Sequence, residues 1–211
     1  MTSLKLFSAV VALLGVAAQV RGHGYMKEPI SRTSIHQRPE FGTEMPYWWD
    51  HQGVWCGNVN QDMQLSTCGR CGDVLGETTA NQGGIYDKGV IVANYSSGSI
   101  IEVTAHFGAP HFGSFEIDIC PYEEETDICF YKLPIVGGTE TVRIDNRICV
   151  PHWEEGTEVT AQVQLPAGVT CNRCTLRWTY RTSYPGPADW DDCLNRDPVQ
   201  VFRNCADIAI Y

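Results

Sequence analysis

The chain has 211 residues, 43% of them hydrophobic, and its 25 Asp and Glu outnumber 15 Lys and Arg to give a formal net charge of −10. This acidic balance argues against nucleic acid and anionic membranes as partners, because phosphate groups are bound by basic surfaces. No apolar run approaches the ~20 residues that a membrane-spanning helix needs. A neutral substrate fits the composition better.

The first 22 residues have the pattern of a secretory signal peptide. Lys5 supplies a positive charge, residues 6–16 form a short apolar run, and Val20 and Gly22 are small residues at the −3 and −1 positions of a cleavage site. We therefore expect a secreted, extracellular, monomeric protein whose mature chain, residues 23–211, is one domain. Cleavage after Gly22 makes His23 the N-terminus, where the α-amine and ring Nδ1 can chelate one metal ion.

From about Gly89 onward, apolar and polar residues alternate in short runs, as in half-buried antiparallel strands. The inward-facing sets, in chain order, are Ile101, Val103 and Ala105; Phe115, Ile117 and Ile119, with Glu116 and Asp118 pointing away; Val159, Ala161, Val163 and Leu165; Leu176, Trp178 and Tyr180; and Phe202, Asn204, Ala206, Ile208 and Ile210. Residues 33–88 show no periodicity and are predicted to be a long loop region with a short helix. The pattern predicts an all-β, immunoglobulin-like or fibronectin-like antiparallel β-sandwich with this loop region after the first strand.

Ten cysteines, all after the predicted cleavage site, indicate up to five disulfides in an exported chain, with the connectivity open. Cys56, Cys68 and Cys71 are expected to hold the loop region. The two CxxC pairs, Cys68/Cys71 and Cys171/Cys174, leave a four-thiolate zinc site as the alternative.

Two acidic runs and one sequon are expected at the surface. Residues 123–125 and 154–155 are predicted to lie in solvated loops. Asn94 begins an Asn-Tyr-Ser sequence and is a candidate for N-glycosylation.

Of the six histidines, His23 stands out because the cleavage site sets its position. A second ligand is sought at His106 or His111, which flank residues 107–110. Gly108 and Pro110 are expected to interrupt the strand there with a turn or bulge. His111 is preferred because it would follow the kink, at an edge or end of the sheet that a metal can reach.

Several short motifs occur in an order and spacing that resemble one enzyme family. The start His23-Gly24-Tyr25, followed by Pro29 and Ser31-Arg32, resembles the mature N-terminus of lytic polysaccharide monooxygenases. The later motifs resemble auxiliary activity family 15, first described in insects. These motifs are Cys56-Gly57, Cys68-Gly69-Arg70-Cys71-Gly72-Asp73, Ala109-Pro110-His111-Phe112-Gly113-Ser114-Phe115-Glu116, Cys120-Pro121, Cys171-Asn172-Arg173-Cys174, Leu176-Arg177-Trp178-Thr179-Tyr180 and Phe202-Arg203-Asn204-Cys205-Ala206-Asp207.

The resemblance implies a catalytic domain over residues 23–211 with one copper ion held by His23 and His111 in a three-nitrogen histidine brace. Phe202 corresponds to the axial aromatic and Ala109 to the small residue that shapes the axial pocket. Three neutral nitrogens suit copper, and the α-amine must lose its proton to bind, so affinity should fall with pH. The family's Thr-Ala-Asn-His sequence is Gly108-Ala109-Pro110-His111 here, so hydrogen bonds from Thr and Asn side chains are absent. His106 is an additional histidine near this stretch.

The implied activity is oxidative cleavage at C1 or C4 of β-1,4-linked polysaccharides, chitin and/or cellulose. It requires an external electron donor and hydrogen peroxide or dioxygen, and its substrate is an insoluble or soluble polysaccharide. Aromatic side chains that can stack on sugars are Tyr25, Tyr47, Trp48, Trp49 and Trp55, although core packing is the alternative role for each. Two other functions remain open: a non-catalytic carbohydrate-binding or copper-binding protein, and a disulfide-stabilised structural protein.

Overall fold

The described part of the chain forms eleven strands and two short 3₁₀ helices. The computed structural model describes residues 23–53, 56, 68–74, 76–151, 154–183, 193 and 200–211. The strands are β1 His23–Glu28, β2 Ala93–Tyr95, β3 Ile100–Ala109, β4 Ser114–Cys120, β5 Tyr131–Lys132, β6 Ile135–Gly138, β7 Val142–Arg143, β8 Arg147–Cys149, β9 Thr157–Gln164, β10 Cys171–Arg181 and β11 Val201–Ile210, and the 3₁₀ helices are Arg32–Gln37 and Pro39–Phe41. No helix in this part of the chain is long and apolar enough to cross a membrane.

The strands form two sheets that pack as a β-sandwich. The first sheet has the order β1-β3-β9-β6, and the second has the order β2-β11-β10-β4-β8-β7, with β5 added against β4. The predicted sandwich is therefore confirmed. One pair departs from the antiparallel pattern, because β2 lies parallel to β11, with Ala93 opposite Ile208. This short edge strand enters the sheet directly after the long loop region.

The predicted alternation identifies the core correctly. Ile101, Val103 and Ala105 on β3 are at most 3% exposed and face Trp178 and Tyr180, which are fully buried on β10. Large aromatic side chains contribute much of the burial that stabilises such a core.

The outward face of the second sheet is also covered, which the alternating pattern did not predict. Glu116 and Asp118 alternate with the core residues of β4 as predicted, yet they are only 7% and 5% exposed. Glu116 pairs with Lys132 at 2.6 Å, and Asp118 accepts two hydrogen bonds from Arg177 at 3.0 and 2.9 Å. A layer of basic side chains thus covers this face.

The loop region is anchored to the sandwich by a buried arginine. Arg32, 3% exposed, pairs with Asp207 at 2.6 Å and with Glu125 at 2.8 Å. The prediction that residues 123–125 are all solvated is therefore wrong for Glu125, whose side chain is fully buried in ion pairs with Arg32 and Arg70. Removing one partner from a buried pair leaves an uncompensated charge, at a cost of about 3–5 kcal/mol.

All ten cysteines are paired in five disulfides: Cys56–Cys68, Cys71–Cys205, Cys120–Cys129, Cys149–Cys193 and Cys171–Cys174. The alternative of a four-thiolate zinc site is wrong, because these thiols are bonded to each other. The expected stapling of the loop region is confirmed. Cys56–Cys68 closes a loop within it, and Cys71–Cys205 joins it to β11.

Candidate metal centre

The pairing of β1 with β3 brings the two predicted ligands to the same end of the first sheet. His23, the first residue of β1, lies opposite Ala109, the last residue of β3. The bulge expected in residues 107–110 is confirmed, because the register shifts by one residue between the pairs His23–Ala109 and Tyr25–His106. Strand β3 itself continues through Ala109 and ends before Pro110, which has no N–H to donate. His111 therefore follows the cross-strand partner of His23 by two residues.

The backbone of His111 is held by a buried tyrosine. The His111 N–H donates to Tyr180 Oη at 3.0 Å, and this hydroxyl donates to the carbonyl oxygen of Phe112 at 2.5 Å. The carbonyl oxygen of His111 accepts a hydrogen bond from the Ser183 N–H at 2.9 Å. Burial raises the pKa of Tyr180, so its hydroxyl keeps its proton and can donate. His111 itself is 4% exposed.

The turn after His111 requires glycine at position 113. Phe112 and Gly113 have positive φ values of 50° and 85°, which favour residues without steric conflict at Cβ. A Cβ at Gly113 would lie 1.9 Å from the carbonyl oxygen of Arg181. Glycine thus allows the turn to pack directly against the backbone of β10, the strand that also contains Tyr180.

A loop segment, residues 50–52, packs directly beside His23. The Gly24 N–H donates to the Gln52 carbonyl oxygen at 2.8 Å. A Cβ at Gly108 would lie 2.3 Å from Gln52 Oε1, so this side chain needs the space that glycine leaves. The result is an open groove of about 500 Å³, lined by His23, Trp49, Asp50, His51, Gln52, His106, Gly108, Ala109, Glu155 and Gly156.

Acidic side chains surround the histidines of this groove. Asp50 Oδ1 lies 3.9 Å from His23 Nε2, and Glu155 is exposed in the groove lining. His106 Nδ1 lies 3.5 Å from Glu158 Oε1. Hydrogen bonds from Lys27 and His106 lower the pKa of Glu158, which therefore carries a negative charge. His106 thus points to a carboxylate partner.

His51, which the sequence analysis did not single out, lines the groove and is buried. Its Nδ1 is 3.1 Å from Ser34 Oγ, and its ring contacts Tyr25 with a centroid separation of 4.7 Å. Burial, together with the nearby His36 and His106, lowers the pKa of His51 to about 4. The ring is therefore neutral at neutral pH. Since His51 follows His23 by 28 positions in the sequence, no local spacing pattern indicated that both line the same groove.

The structure separates the candidate sugar-stacking aromatics into two groups. Tyr25 is 6% exposed and packs with Ile30 and Ile35, so it serves the core. Trp48 is stacked on Tyr86 with ring centroids 4.7 Å apart. Tyr47 and Trp49 are 71% and 79% exposed, and Trp49 lines the groove beside His23. Trp55 lies outside the described residues.

The remaining candidate residues also have defined positions. Phe202 is 1% exposed and stacks on Tyr180 with ring centroids 5.9 Å apart, and Ala109 lines the groove. Asn94 is exposed on β2, and its Oδ1 accepts a hydrogen bond from Tyr211 at 3.0 Å. Its glycosylation stays a prediction.

The donor set fits copper better than harder or thiol-seeking metals. His23 and His111 offer imidazole nitrogens, and a free α-amine at His23 would add a third neutral nitrogen, a set that copper binds well. Among the described residues, one other group of potential ligands lies close together: Cys71, Glu125 and Cys205. Its two thiols form a disulfide and its carboxylate is paired with arginines, so it is not a metal site.

Comparisons with known proteins identify the family of this chain. A family model described as "Lytic polysaccharide mono-oxygenase, cellulose-degrading" matches residues 23–208. A lytic polysaccharide monooxygenase of auxiliary activity family 15 from Thermobia domestica, solved in the Cu(I) state, is 34% identical with a TM-score of 0.70, over 89% of this chain and 98% of that one. The chain belongs to auxiliary activity family 15 of the lytic polysaccharide monooxygenases.

A more distant structure, described as a photoreduced polysaccharide monooxygenase CBM33, is 13% identical with a TM-score of 0.44, over 90% of this chain and 100% of that one. This likeness is too low to support an argument about the site. Comparison with curated proteins finds no significant match.

Membership of the family confirms the expected enzyme class. This monooxygenase is a copper-dependent enzyme that oxidises polysaccharide with a reductant and an oxygen species. Members of the family are generally secreted.

Proposed function

We propose that signal-peptide cleavage after Gly22 frees the α-amine of His23, and that His23 and His111 then hold one copper ion per chain as a histidine brace. The observation that carries this proposal is the strand register. His23 lies opposite Ala109, two residues before His111. The resulting enzyme is a secreted monomer whose catalytic domain is residues 23–211.

When bound, copper supplies one-electron redox chemistry toward dioxygen or hydrogen peroxide. The protein's part is to fix the ligands and shape the space around them. Tyr180 and Ser183 clamp the backbone of His111, which limits how far its ring can shift. Phe202 has no atom that could bind copper, so its contribution would be steric, through its packing on Tyr180. Ala109 lines the groove with a small side chain.

We propose β-1,4-linked polysaccharide, chitin and/or cellulose, as the substrate. The family description names cellulose degradation, which supports this class. Trp49 lines the groove with most of its ring exposed, and sugar faces stack well on such rings. Tyr47 is also exposed, and its ring centroid lies 4.9 Å from that of His36. It lies two residues before Trp49 and offers a second aromatic surface. The exposed Glu155 and the half-buried Asp50 offer acceptors for sugar hydroxyls at the same groove.

Copper titration of the mature protein, produced with His23 as its authentic first residue, tests the brace. His111→Ala should weaken copper binding by at least about 100-fold, because it removes one of three nitrogen ligands. His106→Ala is the matched control, and its affinity should stay within about threefold, since its partner is Glu158. Protein with one extra residue before His23 should lose affinity as His111→Ala does. Equal binding by the extended and mature proteins would contradict the brace.

Product analysis by mass spectrometry tests the substrate and separates the alternative function. With copper, reductant and peroxide, we expect oligosaccharides oxidised at C1 or C4 from chitin, cellulose or both. Trp49→Ala should reduce binding to the active polysaccharide while copper affinity is retained. Tight binding of copper and polysaccharide without any oxidised product would instead identify a non-catalytic binding protein.

A further inference from the structure

A second cavity, on the outward face of the second sheet, is lined by three arginines. It has a volume of about 610 Å³ and shares no lining residue with the groove beside His23. Arg177 on β10 and Arg203 on β11 alternate with the core residues Trp178 and Phe202, so they point away from the sandwich core. Arg70, from the loop region, completes the basic lining.

Two of the three arginines already have carboxylate partners. Arg70 pairs with Glu125 at 3.3 Å and with Asp127 at 2.8 Å. Arg177 pairs with Asp118 at 2.9 Å, and its guanidinium lies 3.9 Å from the centroid of the Phe130 ring.

Arg203 differs because its hydrogen-bond partners are uncharged. Its Nε donates to Thr179 Oγ1 at 3.0 Å and its Nη1 donates to the carbonyl oxygen of Gly69 at 3.1 Å. Within the part of the chain that the structure describes, no carboxylate forms an ion pair with this guanidinium. Arg203 is therefore the lining arginine whose charge is not directly paired with a carboxylate of the described residues.

The charge of Arg203 is buried, which is unfavourable unless an anion lies beside it. Arg203 is 6% exposed. Burial, followed by repulsion from Arg177, lowers the pKa of Arg203 to about 9, so the group is still protonated at neutral pH. An ionised group taken out of water is costly unless an opposite charge compensates it.

We propose that this cavity binds a phosphate or sulfate group, either as the free ion or as an ester on a small sugar. Guanidinium groups bind the oxygens of such anions through paired hydrogen bonds. Arg203 can bind an anion in this way because its present hydrogen-bond partners are uncharged. The cavity falls within the range of about 300–1,000 Å³ for small-molecule sites, which leaves space for the carrier of an ester. The carboxylates of the lining, Glu77 and Asp127, belong to exposed side chains and lie toward solvent.

Isothermal titration calorimetry with sodium sulfate, sodium phosphate and glucose 6-sulfate, at constant ionic strength set with chloride, tests the site. We expect one anion per chain, with the same affinity in the copper-loaded and copper-free protein, because the site is independent of the proposed brace. Arg203→Gln should weaken binding about tenfold or more. Arg38→Gln removes the same charge from a surface pair with Glu28 and Glu40 and should leave binding unchanged.

A second variant keeps the test decisive if Arg203→Gln does not fold. Glu77→Gln removes a negative charge from the exposed lining and should strengthen binding about two- to fivefold at low salt. Tighter binding of glucose 6-sulfate than of sulfate would identify the ester as ligand, and equal binding would identify the free ion. The proposal is overturned if none of the three probes binds at 50 mM, if Arg38→Gln weakens binding as much as Arg203→Gln, or if binding requires copper.

Discussion

Tyr180→Phe is the substitution that best tests how the fold holds His111. The change removes one hydroxyl that accepts a hydrogen bond from the His111 N–H at 3.0 Å and donates one to the Phe112 carbonyl oxygen at 2.5 Å. Both bonds are buried, and each buried backbone group that loses such a partner costs about 1–3 kcal/mol. Because two groups lose a partner, we expect a loss of about 2–6 kcal/mol in the free energy of unfolding. At about 2–4 °C per kcal/mol, Tm should fall by about 4–24 °C.

The same substitution should also weaken copper binding, because the backbone that presents His111 gains freedom. Loss of a supporting hydrogen bond next to a metal ligand costs about 10- to 100-fold in affinity. Chemical denaturation gives the stability, and copper titration of the mature protein, followed by its Cu(II) electron paramagnetic resonance spectrum, gives the site geometry. Tyr211→Phe is the matched control, since it deletes an exposed hydroxyl bonded to Asn94. Unchanged copper affinity and spectrum in a destabilised Tyr180→Phe protein would refute the positioning role.

Three further predictions concern stability. The pKa of His51 is lowered to about 4 in the folded protein, so below pH 6.5 the unfolded chain binds more protons than the folded chain. The free energy of unfolding should therefore fall by about 2–3 kcal/mol between pH 6.5 and pH 4. In denaturation curves measured across this range, His51→Gln should reduce this dependence on pH. Gly113→Ala should destabilise by at least about 3 kcal/mol, whereas Gly168→Ala, also at positive φ but with no atom within 4 Å of the added Cβ, should cost about 1 kcal/mol; equal losses would contradict the steric argument. Replacing Cys71 and Cys205 by serine opens a crosslink spanning 134 residues and should lower the free energy of unfolding by about 4–5 kcal/mol, as measured by equilibrium denaturation. An unchanged free energy of unfolding would indicate that the unfolded chain stays compact without this disulfide.

The core of the sandwich was predictable because burial alternates along a strand. Ile101, Val103 and Ala105 were assigned to one face from their period of two, and all three are buried. The same pattern identified Trp178 and Tyr180. Alternation, however, says only which side a residue faces. It did not reveal that Glu116 and Asp118 would be covered on the other side, because their basic partners come from other parts of the chain.

The two proposed ligands of the candidate metal centre were identified from the sequence, whereas the residues that support them were not. The cleavage pattern singled out His23, and the family motif singled out His111. Tyr180, which lies 69 residues after His111 in sequence, joins the site through the pairing of β10 with the strands around it. His51 reaches the groove from an aperiodic loop, so no spacing rule could have linked it to His23.

The sequence by itself determined the sandwich class, the inward faces of its strands and the family to which the chain belongs. These properties depend on local periodicity and on short motifs whose spacing is fixed along the chain. Only the tertiary structure decided which cysteines pair, that Glu125 is buried against Arg32, and that Arg203 is left without a carboxylate partner among the described residues. Such outcomes depend on which distant segments pack together, because the free energy of a buried charge is set by the neighbours that folding brings to it.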